Sequence, residues 1–124
     1  MKQFNRALGK LGEDRASEYL IKNGFKIIER NYSTKFGEID LIAVKNNILR
    51  FIEVKLKKGE DFGTPEEMIG RNKLFQVNRM SQFYLMAKPE MAKKYDRYSI
   101  DAVCVVVNEN EDEERIDLYE NIGF

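Results

Sequence analysis

The sequence predicts a single α/β domain over residues 1–124, in which a mixed central sheet is flanked by helices, with the element order αβββα followed by ββ. Three observations support this prediction: helically spaced apolar residues near the N-terminus, two apolar runs on either side of Asn46-Asn47, and the continuous apolar run at Ala102–Val107. A chain of 124 residues has the length of one ordinary domain.

The first helix is predicted from about Asn5 to Asn23. Asn23-Gly24 is a typical stop signal. Residues at overlapping inward positions of this helix are Leu8, Leu11, Ala16, Tyr19 and Leu20. Gly9 and Gly12 are poor helix formers, so they indicate either a close approach of the helix to the sheet or a later helix start.

Three strands are predicted next, over Phe25–Tyr32, Gly37–Val44 and Ile48–Lys55. The last two form a hairpin, because Asn46-Asn47 tolerates the positive φ that tight hairpin turns require.

A second helix is predicted to start at a capping box of Thr64 and Glu67 and to run to about Ala87. It stops before Pro89, since proline disfavours a helical residue ahead of it. The remaining predicted elements are a short helical piece through Tyr95, a buried strand Ser99–Val107 and a last strand Arg115–Tyr119.

Composition favours a cytoplasmic protein without disulfides and without a membrane segment. The longest apolar run is too short to span a bilayer, and the N-terminus lacks the apolar region of a signal peptide. The only cysteine, Cys104, lies inside an apolar run, and packing in a strand is its expected role.

Charge is balanced in total but unevenly distributed. The formal net charge is zero, yet residues 1–62 carry +4 and residues 63–124 carry −4. Much of the acid lies in Asn108–Glu114, a solvated turn on the simplest interpretation. Residues 1–107 alone sum to +6, which leaves room for a basic face.

The hairpin carries ionisable residues where a core strand would have apolar ones. With Asn46-Asn47 at the turn, Asp40 is expected directly opposite Glu53, and Glu38 opposite Lys55, all four on one face. The other residues of both faces are apolar, with Ile42, Val44, Leu49 and Phe51 on the charged face and Ile39, Leu41, Ala43, Ile52 and Val54 on the other. The charged patch should therefore lie in a partly dry cleft.

Two opposed carboxylates in a dry cleft repel each other and require a cation between them. Oxygen ligands and the absence of histidine from the chain favour Mg²⁺ or Mn²⁺. The alternative is a buried ion network in which Lys55 neutralises one acid and Glu38 turns outward.

Glu13 is a candidate third acid. It shares a helix face with Gly9, Gly12, Ala16 and Leu20, the narrow side on which a helix can approach a sheet. On the alternative interpretation, Glu13 is an exposed first-turn acid favoured by the helix dipole.

Five ordered blocks of the sequence together resemble the YraN family of bacterial proteins, within the PD-(D/E)xK nuclease superfamily and similar to archaeal Holliday-junction resolvases. The blocks are Gly9-x-x-Gly12-Glu13-x-x-Ala16, Asn31-Tyr32, Gly37-Glu38-Ile39-Asp40-Leu41-Ile42, Phe51-Ile52-Glu53-Val54-Lys55 and Gly63-Thr64-Pro65-Glu66.

This resemblance implies a restriction endonuclease-like core. It also implies that Asp40, Glu53 and the Val54 carbonyl bind the metal, that Glu13 is the helix-borne acid, and that Lys55 is the catalytic lysine.

The resulting hypothesis is a Mg²⁺- or Mn²⁺-dependent DNA endonuclease, acting on duplex or branched DNA. Candidate DNA contacts are Lys57, Lys58, Arg71, Lys73 and Gln76. A second hypothesis is a non-catalytic nucleic-acid-binding protein that keeps the nuclease fold. A third is an interaction subunit or homodimer that uses exposed aromatic residues of the second helix, namely Phe75, Phe83 and Tyr84. Packing in the core would explain these aromatic residues equally well.

Overall fold

Five strands form one sheet with helices on both faces in the computed structural model, which describes residues 2–59 and 65–123. No helix within these two ranges has the length and apolar character needed to cross a membrane. The elements are α1 (Lys2–Lys22), β1 (Lys26–Thr34), β2 (Gly37–Lys45), β3 (Ile48–Lys58), α2 (Pro65–Ile69), α3 (Arg71–Ala87), α4 (Pro89–Lys94), β4 (Arg97–Val107) and β5 (Glu113–Tyr119).

The sheet is mixed and its strands lie in chain order, β1-β2-β3-β4-β5. Neighbouring strands are antiparallel except β3 and β4, which are parallel along Ile48–Lys58 and Arg97–Val107. A parallel pair needs a long crossover, and the segment containing α2, α3 and α4 supplies it. The predicted fold class is confirmed, since this architecture is consistent with a restriction endonuclease-like fold.

Each face of the sheet carries its own hydrophobic core. The core on the α3 face contains Ile39, Ile42, Leu49, Phe51, Leu74, Val77, Met80, Tyr84, Tyr95 and Ile100. The core on the α1 face contains Ala16, Leu20, Phe25, Leu41, Ala43, Ile52, Val103, Val105 and Val107. The middle of the sheet is therefore covered on both sides, as predicted from its apolar strands.

Gly12 lets α1 approach the sheet closely. A Cβ added at Gly12 would lie 3.3 Å from the Cβ of Leu56 on β3, whereas one added at Gly9 would meet nothing within 4 Å. The helix begins at Lys2, so the alternative of a later helix start is wrong. Close approach explains Gly12 but not Gly9.

The predicted long second helix is divided at Gly70. Gly70 has φ 84° and ψ 152°, a conformation that glycine adopts without a steric penalty. The prediction of one helix up to Ala87 is wrong at this point, although the short helix before Tyr95 is present as α4. The predicted cap at Thr64 lies outside the described residues.

Strand pairing extends several strands past their predicted ends. β3 was predicted to end at Lys55 but continues to Lys58, because every residue from Ile48 onward has a partner on β4. β1 likewise continues to Thr34, which pairs with Gly37. At the end of β3, ladder hydrogen bonds formed with the distant strand β4 stabilise the charged residues, and local sequence does not report them.

A buried ion pair ties β3 to β4. Nη1 of Arg50 lies 3.1 Å from Oδ2 of Asp101, and the Asp101 side chain is fully buried. The other carboxylate oxygen of Asp101 accepts the backbone N–H of Asn121 at 2.9 Å. Asp101 therefore also anchors the segment that follows β5.

Candidate metal centre

The hairpin register follows the predicted pairing over five residue pairs, from Lys45 opposite Ile48 to Leu41 opposite Ile52. Asn46 and Asn47 have φ 55° and 62°, as expected for the tight turn. The paired register ends at Leu41. The predicted pair of Glu38 with Lys55 lies beyond that end and is not among the residue pairs that β2 and β3 form.

Asp40 interrupts the regular alternation of β2. Its Oδ2 accepts the backbone N–H of Val54 at 2.8 Å, beyond the last paired residues of the two strands. Ile39 packs into the α3-side core together with Ile42, so its predicted position on the opposite face is wrong. The register of β1 places Asn31 beside Asp40, and Asn31 has a positive φ of 55°. The usual alternation of side chains between the two faces of the sheet is therefore broken at Asp40.

Three carboxylates converge at this distortion. One oxygen from each of Glu13, Glu38 and Asp40 lies within 4.8 Å of the others. The inward orientation of Glu13 is thus the one observed, and Gly12 beside it permits the approach. Glu38 was not included in the predicted metal set, although its position two residues before Asp40 on the same strand was a usable signal.

The Glu53 carboxyl lies beside these acids and is buried, with the residue 8% exposed. Burial, followed by the negative charge of Asp40, raises the pKa of Glu53 to about 8. Its Oε2 is buried and has no hydrogen-bond partner among the described residues. Without a cation, Glu53 is therefore poorly suited to carry its charge at neutral pH.

The neighbouring acids are also hard to ionise. Burial is the main cause of the raised pKa of Asp40, which the Val54 N–H and the Lys73 charge partly oppose. Burial and the charge of Asp40 raise the pKa of Glu13, against a hydrogen bond from Asn31 and the charge of Arg30. A divalent cation among these carboxylates would relieve their repulsion and favour the charged forms.

Lys73 and Gln76 reach this site from α3. Lys73 Nζ lies 3.8 Å from Glu53 Oε1 and donates a hydrogen bond to Gln76 Oε1 at 3.3 Å. Gln76 Nε2 in turn donates to the Phe36 carbonyl at 3.2 Å. A Cβ at Gly37 would lie 2.7 Å from Gln76 Nε2, so a glycine there keeps this connection open. Both residues were predicted as DNA contacts, and the structure places them against the acids and the β1–β2 turn.

Lys55 is half-buried on β3, two residues after Glu53. Its charge lowers the pKa of Glu53, but less than the charge of Lys73 does. Lys55 also lowers the pKa of Cys104, which burial nevertheless raises to about 11. Cys104 is therefore a buried and unreactive thiol, as predicted. Ligation by the Val54 carbonyl and catalysis by Lys55 stay predictions.

The other predicted DNA contacts lie further along the chain. Lys57 and Lys58 extend the end of β3, with Lys58 Nζ 3.5 Å from Glu111 Oε2. Arg71 is exposed at the first position of α3.

Two of the acids, Glu13 and Glu38, are accessible from two clefts. One, of about 530 Å³, is lined by Gly9, Lys10, Glu13, Arg30 and Asn31. The other, of about 460 Å³, is lined by residues 33–38 with Lys73 and Gln76. Arg30 lies 3.7 Å from Glu13 and 2.8 Å from Asp14, and sequence reasoning did not identify its place at the rim.

The predicted aromatic interaction face is only partly present. Tyr84 is 1% exposed and belongs to the α3-side core, so for this residue the core-packing alternative is the one observed. The reason is the helical periodicity, which places Tyr84 on the same face as Val77 and Met80. Phe75 is 63% exposed, and Phe83 is half-buried.

The family whose model matches this chain is a member of the PD-(D/E)xK-like nuclease superfamily, and the fold of the chain is consistent with that class. The model of "Uncharacterised protein family UPF0102" matches residues 12–105, and the chain belongs to this family. UPF0102 is the YraN family, which the sequence was found to resemble. A UPF0102 protein of Dictyoglomus thermophilum is 43% identical over 90 residues, covering 73% of this chain and 76% of the relative. A UPF0102 protein of Syntrophomonas wolfei is 37% identical, and the match covers 86% of this chain and 90% of the relative. A UPF0102 protein of Clostridium tetani is 34% identical, and the match covers 95% of this chain and 94% of the relative.

Proposed function

We propose that this protein is a Mg²⁺- or Mn²⁺-dependent DNA phosphodiester hydrolase. The observation that carries the proposal is the convergence of Glu13, Glu38 and Asp40 within 4.8 Å, beside the buried carboxyl of Glu53. Hard divalent cations prefer such oxygen ligands, and the chain has no histidine to favour another metal.

The donor set fits a cation better than it fits an internal ion network. Glu53 Oε2 is buried with no hydrogen-bond partner among the described residues, which leaves a ligand oxygen available. Lys73 approaches only one oxygen of Glu53, and Arg30 lies nearer to Asp14 than to Glu13. These two cations thus leave the acids incompletely neutralised.

Asp40 and Glu53 would hold the metal, with Glu13, Glu38 and the Val54 carbonyl as further candidate ligands. When bound, Mg²⁺ supplies polarisation of the phosphate and a lower pKa for a nearby water. Lys55 extends from the same strand as Glu53 and would stabilise negative charge that develops on the phosphate. Lys73, oriented by Gln76, favours the ionised form of Glu53.

Cleavage assays test this function directly. Plasmid, single-stranded and four-way-junction DNA would be incubated with Mg²⁺ or Mn²⁺, and we expect cleavage that a chelator abolishes. Asp40→Asn should abolish it as well, while Asp112→Asn, an exposed acid in the β4–β5 turn, should not. Binding of DNA without turnover of any of these forms would overturn the hydrolase in favour of the non-catalytic nucleic-acid-binding protein.

Metal should stabilise the folded protein through the acid cluster. A ligand that binds only the native state adds about 2.7 kcal/mol at a hundred-fold excess over its Kd. Asp40→Asn should lose most of this gain, and Asp112→Asn should retain it. Thermal unfolding with Mg²⁺ and with a chelator measures both effects. Equal metal-dependent shifts for wild type and Asp40→Asn would contradict a site at Asp40.

DNA affinity should depend strongly on salt and weakly on sequence. With phosphate contacts from Lys57, Lys58 and Arg71, affinity should fall about 40-fold between 50 and 200 mM salt. Fluorescence anisotropy with the Asp40→Asn protein measures binding without cleavage. A salt-independent affinity, or a strong preference between duplexes of equal shape and different sequence, would argue against backbone recognition.

A further inference from the structure

The β1–β2 turn presents an exposed aromatic ring beside the acid cluster. Phe36 is 43% exposed, and its ring stacks on that of Phe83 from α3, with centroids 5.1 Å apart and planes 6° from parallel. The exposed part of Phe36 is therefore available to a flat partner.

Two cations surround this ring pair. The Arg79 guanidinium lies 5.0 Å from the Phe36 centroid and 5.8 Å from that of Phe83. Lys35 Nζ lies 5.2 Å from the Phe36 centroid. Both side chains belong to exposed residues, so their charges can pair with phosphates outside the rings. We call Lys35, Phe36, Arg79 and Phe83 the turn platform.

The turn platform is connected directly to the candidate metal centre. Phe36 is separated from Glu38 only by Gly37. The Phe36 carbonyl accepts a hydrogen bond from Gln76 Nε2, and Gln76 Oε1 accepts one from Lys73. Lys35, Phe36, Glu38 and Lys73 line the same cleft of about 460 Å³. A nucleic-acid strand with its phosphate at the acids would pass over this ring.

Aromatic rings flanked by cations bind single-stranded nucleic acid, because bases stack on the rings while the cations contact the backbone. In a continuous duplex, the base faces are already stacked on their neighbours and are not available. We propose that the turn platform stacks an unpaired base next to the cleaved phosphate, so that the substrate class is DNA with unpaired bases at the cut. This inference rests on the proposed hydrolase function and specifies its substrate.

A tryptophan reporter tests the stacking. The chain contains no tryptophan, so Phe36→Trp introduces a single tryptophan into the turn platform, whose fluorescence can be excited selectively over that of the tyrosines. In an Asp40→Asn background, we expect a duplex with a single-stranded gap to quench this fluorescence and an intact duplex of equal length not to do so. The matched control is Tyr98→Trp in the same background, since Tyr98 is also 43% exposed but lies at the start of β4.

Affinity measurements give a second test. Phe36→Ala should weaken binding of the gapped duplex by about 5- to 150-fold, the range for loss of one stacked base, and leave intact duplex nearly unaffected. Tyr98→Ala should change neither. Since Phe36 also packs on Phe83, Phe36→Leu serves as a second variant that retains apolar volume but not the aromatic face. It should lose the same preference with an unchanged melting temperature.

The outcomes separate this inference from the proposed function. Equal quenching by gapped and intact duplex, or equal affinity of wild type and Phe36→Leu for the gapped duplex, would overturn the turn platform. If the wild type still cut DNA with metal, the hydrolase proposal would survive that result. Conversely, gap-specific quenching in a protein that cuts no DNA would support the turn platform and overturn the hydrolase.

Discussion

Lys55→Met is expected to reduce single-turnover DNA cleavage by about 10²- to 10³-fold, the scale of losing one group that stabilises transition-state charge. DNA affinity and metal-dependent stabilisation should change little. Lys55 extends from the strand that carries Glu53 and is half-buried, so it can reach a phosphate held at the acids without being a ligand. Quenched-flow cleavage and equilibrium binding measure the two quantities separately.

Two matched lysine variants sharpen this prediction. Lys57→Met removes a candidate phosphate contact two residues further along the same strand, so it should weaken DNA binding but leave the single-turnover rate of bound DNA nearly unchanged. Lys73→Met removes the lysine that lies 3.8 Å from Glu53, so it should raise the pKa of Glu53 further. If Lys73→Met lost the full 10²- to 10³-fold in rate and Lys55→Met did not, the catalytic charge would belong to Lys73.

Lys55 would have a different role if it only neutralised buried acids. Its removal should then destabilise the metal-free fold by roughly 3–5 kcal/mol, the penalty for stranding a buried charge. The structure favours the smaller effect, because the cation in contact with Glu53 is Lys73. Urea unfolding of the metal-free proteins decides between these roles.

The metal-free protein should lose stability relative to Glu53→Gln as pH rises from about 4.5 to about 8. The pKa of Glu53 is raised from 4.5 to about 8, so the native state retains a proton that the unfolded state releases. The stabilising contribution is fully present below pH 4.5 and is lost as pH rises through 8. Its size is on the order of a few kcal/mol.

The Glu53→Gln variant isolates this contribution, since glutamine resembles the protonated glutamate and does not titrate. The measurement is the difference in unfolding free energy between wild type and variant at several pH values, with a chelator present. Adding Mg²⁺ should remove the difference in slope, because a bound cation favours the ionised carboxyl. Parallel curves for the two metal-free proteins would show that Glu53 titrates normally.

Local sequence information was sufficient for the hairpin that carries the site. Asn46-Asn47 determined the turn, and the turn determined the register from Lys45 to Leu41. The alternation of charge and apolar residues placed the acids in a cleft, and Gly12 indicated how Glu13 could reach them. These features depend on residues close in the chain, whose geometry is limited by backbone sterics and strand periodicity.

Only the tertiary structure decided the features of the site that depend on contacts between segments distant in the chain. The end of the ladder at Leu41 and the bond from Val54 to Asp40 depend on how β1 and α1 pack against the hairpin. In the folded protein Glu38 belongs to the acid cluster with Glu13 and Asp40. Strand pairing alone had predicted that Glu38 lies opposite Lys55. The positions of Lys73 and Phe36 depend on the docking of α3 against the β1–β2 turn. Periodicity specifies which face of each element is buried, but contacts between elements distant in sequence arise only when those faces are packed together.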